Sequence, residues 1–182
     1  MQLRINWVGL AGGVTTIVVV AASLFYPWWQ LSVGKGLMTV NSSPLNMSFD
    51  VLGSTFTMPL LWAMNMASAL TFLASGITMI IYSLAPAKSY SKTLLEFAYK
   101  KPLYTLLTFV VILFASTLLV QTLLHFTVPL VGSTTSVFPI PMVQGTTITV
   151  PISADFQLPF WLAIVAAGLC ITAKFHHKRV VV

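Results

Sequence analysis

The sequence predicts a membrane all-α bundle of four transmembrane helices with a small β-rich extracellular cap formed by two loops. Three observations predict it. The chain is 57% hydrophobic and 7% charged, whereas an ordinary soluble surface needs about a quarter of its residues charged. Four apolar stretches, near 5–26, 58–84, 102–128 and 158–175, come within a few residues of the ~20 that cross a hydrocarbon core about 30 Å thick. Eight of the nine basic residues (Arg4, Lys88, Lys92, Lys100, Lys101, Lys174, Lys178 and Arg179) flank these stretches on one side. By the positive-inside rule the chain is a single integral-membrane domain, 1–182, of the plasma or cell membrane. Both termini and the 85–101 link are expected in the cytoplasm, and segments 27–57 and 129–157 outside.

The first stretch starts after a base and ends in Tyr26-Pro27-Trp28-Trp29. Its apolar run exceeds a signal-peptide core and its aromatic end suits a membrane interface, so it is read as a retained helix. Gly9 and Gly13 form a GxxxG pair that permits close helix approach, within the chain or in self-association.

The first external loop reads as four short strands, Trp29–Val33, Leu37–Val40, Met47–Leu52 and Ser54–Met58. Gly34-Lys35-Gly36, Asn41-Ser42-Ser43-Pro44 and Gly53 punctuate them. Asn41 and Asn46 each open an N-x-S sequon and are glycosylation candidates.

The second and third stretches hold Asn65 and Gln121, neutral polar residues placed to hydrogen-bond across the bundle. Between them, Ser91 caps a short interfacial helix in which Leu94, Leu95 and Ala98 face lipid, Glu96 and Lys100 pair four apart, and Pro102 begins the next span. The second loop adds strands at Ser133–Phe138 and Thr146–Ile152. The last stretch carries Ala163, Ala167 and Gly168 for close packing, and the single cysteine, Cys170.

Catalytic chemistry needs convergent titratable groups, and the three acids (Asp50, Glu96 and Asp155) are scattered. Asp50 and Asp155 are the one pair the external loops could bring together. His125 lies at the opposite end of the spans from His176 and His177, so the histidines cannot share a metal; the external Met38, Met47 and Met142 could join His125 at a soft-metal site, but no tight spacing supports one. No catalytic, cofactor-binding or metal residues are assigned, and no cofactor is expected. The net charge of +6 follows topology and carries no nucleic-acid-binding module.

Four spans, inward termini and a β-rich first external loop opening at Trp28-Trp29 resemble claudin-like and related tetraspan membrane proteins. Claudins carry a Gly-Leu-Trp motif and two cysteines in that loop. Here Gly36-Leu37 is followed by Met38 and the loop has no cysteine, so the resemblance is one of form and carries over no functional residue.

The function expected is that of a non-catalytic structural or interaction component. Trp28, Trp29, Phe49, Phe56 and Phe138 are the candidate contact residues; Gly9, Gly13, Asn65, Gln121, Ala163 and Ala167 pack helices. The partners expected are membrane lipid and other membrane-protein subunits or a second copy. An accessory subunit of a respiratory or oxidase assembly is the alternative. A small transporter or channel comes third, since no span carries an ionisable residue in its interior.

Overall fold

A computed structural model describes residues 5–124, 127–139 and 147–181. Arg4, His125 and Met142 lie outside these, as do the side chains of Phe138, Lys178 and Arg179. The elements run α1 (Trp7–Ser23), β1 (Trp29–Val33), β2 (Met38–Ser42), β3 (Ser48–Val51), β4 (Ser54–Phe56), α2 (Pro59–Leu84), α3 (Ser91–Leu124), β5 (Gly132–Pro139), β6 (Thr147–Phe156) and α4 (Leu158–Val181). Helices α2, α3 to Leu123, and α4 to His177 are long and apolar enough to cross a membrane. The apolar α1 is shorter, with 17 residues and a length of about 26 Å.

The strands correct the expected fold class. They form one six-stranded antiparallel sheet in the order β4-β3-β2-β1-β6-β5, a large part of the molecule rather than a small cap on an all-α bundle. The sheet is large because the two loops share it. Strand β1 pairs β2 on one side, Leu31 opposite Val40, and β6 on the other, Leu31 opposite Ala154. Strand β6 continues four residues past Ile152 to Phe156, and it is Ile152–Phe156 that pairs β1.

Alternation along the strands gives the sheet two unlike faces. Trp29, Leu31, Ile152 and Ala154 are buried on the face that packs on the helices. Gln30, Asn41, Asp50, Thr55 and Asp155 occupy the other. The β3–β4 connection is a two-residue turn with Leu52 at φ 51° and Gly53 at φ 81°, the left-handed pair that matches the twist of a hairpin.

The helices pack α1 on α2 and α4, with α3 closing the ring against both. A Cβ on Gly13 would stand 2.9 Å from the Gly76 carbonyl oxygen, and one on Gly76 would stand 3.1 Å from that of Gly13. The α1 and α2 backbones therefore touch, which any larger side chain would prevent. Gly12 does the same against Cys170 of α4, at 3.1 Å.

Helix α3 corrects a second expectation. The 85–101 link is not closed by a separate interfacial helix; Ser91 opens a 34-residue helix that runs through Pro102. At about 51 Å it is roughly 20 Å longer than a hydrocarbon core is thick, and Lys92, Glu96, Lys100 and Lys101 all lie in its first three turns. Leu95 and Ala98 do not face lipid: they are buried with Met79, Tyr82, Cys170 and Ala173. A proline inside a helix orphans the carbonyl four residues earlier, here that of Ala98. The buried Ser75 hydroxyl of α2 donates to that oxygen at 2.8 Å. This neighbouring donor is what lets α3 continue where the sequence suggests a break. Glu96 and Lys100 approach to 3.6 Å on the exposed face.

Candidate functional site

Sheet and helices meet at Trp28, which is 0% exposed. Its indole lies edge-on to Phe72 of α2, Phe109 of α3 and Phe160 of α4, with ring centroids 6.1, 5.2 and 6.2 Å away. Its Nε1–H donates at 2.8 Å to the hydroxyl of Ser23, the last residue of α1, and that hydroxyl donates to the Val19 carbonyl. One side chain thus touches all four helices. Edge-to-face pairs of this kind each contribute about 0.5–1.5 kcal/mol beyond area burial. The Trp28 backbone N–H donates to Ser42, and its carbonyl accepts from Gln157 at 2.9 Å. Trp29, 3% exposed, faces the core and donates its Nε1–H to the Leu130 carbonyl at 2.7 Å. The pair begins the sheet at the centre of the molecule and forms no membrane-interface belt; Phe25 and Tyr26 are the exposed aromatics there.

The contact residues read from the sequence therefore separate. Trp28 and Trp29 are sealed inside and cannot meet a partner. Phe49 is half-buried and Phe56 is 58% exposed. Phe138 has its backbone in β5 opposite Ile148. Asp50 and Asp155 do not approach: β2 and β1 lie between their strands, a separation of roughly 14 Å at about 4.8 Å per strand.

Asp50 belongs to a side-chain ladder across four strands on the open face. Gln30 donates to Asn41 Oδ1 at 2.9 Å, Asn41 Nδ2 donates to Ser48 Oγ at 3.2 Å and to Asp50 Oδ2 at 3.0 Å, and Thr55 donates to the other Asp50 oxygen. The amide nitrogen of Asn41, where a glycan would attach, is thus committed twice. Asn46 sits in the β2–β3 connection, half-exposed, with its backbone N–H donating to Ser43 Oγ.

The opposite end of the bundle holds a polar knot that the sequence did not single out. Asn6, 2% exposed, caps α1 by accepting from Gly9 N–H at 3.0 Å. Its Nδ2 donates to the Tyr82 hydroxyl at 3.0 Å and to the Ala173 carbonyl at 3.2 Å, and Tyr82 Oη lies 3.0 Å from His177 Nδ1. Three helices are tied here by groups distant in sequence. Lys174 lies over the Tyr99 ring at 4.3 Å and donates to its hydroxyl. An asparagine just ahead of the first helix is the capping residue type that could have pointed to this end of the bundle; nothing in the sequence points to its partners.

Of the helix-packing candidates, Gly9 meets Ser83 and Gly13 meets Ile80 and Gly76, both within the chain. Ala163 and Ala167 are buried on α4, while Gly168 faces open space. Asn65 is buried. Gln121 does not bond to it; its Nε2 donates to the Val128 carbonyl at 3.1 Å, tying the exit from α3. Among the described residues no group of three or more His, Cys, Asp or Glu side chains is placed to hold a metal ion. No protein-family model, curated protein or solved structure matches the chain.

Proposed function

We propose that the protein is a non-catalytic interaction component of the cell membrane that displays its six-stranded sheet to a partner. Both termini and the basic 85–101 segment face the cytoplasm in this reading, and the sheet faces outward. One observation carries it: Trp28 locks the sheet onto all four helices while, among the described residues, the opposite face and both edges stay open. A sheet held this firmly keeps its outer backbone and side chains in one geometry, which lowers the ordering cost of binding.

Native purification from membranes in a mild detergent, with mass and composition of the particle, tests this. Recovery as a multimer, or with other chains retained through the sheet, is the expected result. Co-purification with cofactor-bearing chains would make the protein the accessory subunit of an enzyme complex. Recovery as a monomer that passes solute across liposomes would overturn the reading in favour of transport.

A further inference from the structure

Strands β5 and β6 outrun the rest of the sheet. Strand β6 has ten residues, but β1 covers only Ile152–Phe156. Beyond that, one backbone hydrogen bond, Gly34 N–H to the Pro151 carbonyl at 2.8 Å, reaches it from the first loop. Residues 135–139 and 147–151 therefore form a two-stranded ribbon that extends about 17 Å past the end of β1. On one face Thr135, Val137, Thr147, Thr149 and Pro151 are exposed; on the other Ile148 is exposed while Ser136 and Val150 are half-buried. A two-stranded ribbon is marginal in water by itself.

Nothing among the described residues protects the edge of that ribbon. Among the described residues β5 is the terminal strand and pairs only β6. It is eight residues long, carries no charge, and has its one proline at the last position. Sheet edges are ordinarily blunted by lysines, central prolines, bulges or brevity. Brevity is what the other edge uses: β4 has three residues.

We propose that β5 is a self-association edge, at which two copies in one membrane pair β5 with β5, antiparallel, about a two-fold axis normal to the sheet. This rests on the display reading above and names the partner as a second copy. The faces of the sheet favour that occupant. Pairing Thr135 with its own counterpart sets Ser133 opposite Val137 and Thr134 opposite Ser136, so like faces stay together. Both polar faces then point one way and both helix bundles the other, the arrangement that two copies in one bilayer require. Nothing on β5 repels its own copy, since like charges directly opposite are the usual obstacle and it has none.

The test uses the full chain in detergent and in membranes. Ser133→Cys, Thr135→Cys and Val137→Cys are each oxidised; native Cys170 is buried and stays silent. Opposed residues in an antiparallel pair are close enough for a disulfide. Thr135→Cys should cross-link to itself, and Ser133→Cys to Val137→Cys when the two are co-expressed. Thr135→Lys, an exposed change that leaves the fold intact, should weaken dimerisation at least ten-fold by particle mass. A wild-type monomer, equal or absent cross-linking at all three positions, or a dimer that survives Thr135→Lys would overturn the proposal. Cross-linking of Thr135→Cys to a different chain would overturn self-pairing while leaving display intact; a monomer that passes solute would overturn both.

Discussion

Replacing Trp28 with alanine should release the sheet from the helices. The indole is wholly buried and contacts Phe72, Phe109 and Phe160 edge-on. Truncating a buried aromatic to alanine costs about 3–5 kcal/mol, because transfer energy is lost and a cavity remains. For a chain of this length that corresponds to a fall in melting temperature of about 6–20 °C. Trp28→Phe separates the components. It keeps an aromatic ring but loses the Nε1–H bond to Ser23, whose hydroxyl still donates to Val19. That change should cost only about 1 kcal/mol, or ~2–4 °C. Trp62→Ala, at a site 60% exposed, should leave the melt unchanged. The assay is thermal unfolding in one defined detergent, followed by near-ultraviolet circular dichroism, with limited proteolysis of the hairpin tips as a local readout. A Trp28→Ala protein that melts within 2 °C of wild type, tips still protected, would refute the keystone role.

Three further outcomes follow from the same packing. Ser75→Ala leaves the Ala98 carbonyl without its donor and should cost about 1–3 kcal/mol; adding Pro102→Ala restores a backbone N–H to that oxygen, so a double-mutant cycle in thermal melts should show the pair to be strongly non-additive. Gly13→Ala places a Cβ 2.7 Å from Ile80 Cγ1 and 2.9 Å from a backbone oxygen and should destabilise by about 1–3 kcal/mol, whereas Gly168→Ala, which meets open space, should stay within about 0.5 kcal/mol of wild type. If the sheet side is glycosylated, mass spectrometry should find glycan on Asn46 and none on Asn41; Asn46→Gln should remove it and Asn41→Gln should not.

Local structure was legible where it depends on neighbours in sequence. Strand β1 falls on the residues Trp29–Val33 that alternation marks, and Gly34-Lys35-Gly36 and Gly53 mark turns by their left-handed backbone. Partners in space were not legible. Periodicity shows that Leu31 has a buried side but not that Ala154 lies beside it, and so the sheet's extent was missed. A tryptophan beside a span end reads as an interface anchor until three phenylalanines from three other helices are seen around it. The Asn6–Tyr82 contact spans 76 positions and Tyr82–His177 spans 95; each residue alone is an ordinary polar group near a helix end. Pro102 misled for the same reason, since the donor that rescues Ala98 sits 23 residues earlier.

The pairing of β1 with β6 also sets an order on biogenesis. A ribosome delivers β1 and Trp28 well over a hundred residues before it delivers Phe156 and Phe160. Until then the nascent first loop has β2 on one side of β1, a bare backbone edge on the other, and an indole with no aromatic enclosure from the last helix. Both loops must reach the same end of the helices before either is complete. The β1 edge therefore stays unpaired while α2 and α3 are made, and a chain stalled between Leu124 and Thr147 should be the species most prone to aggregation or degradation.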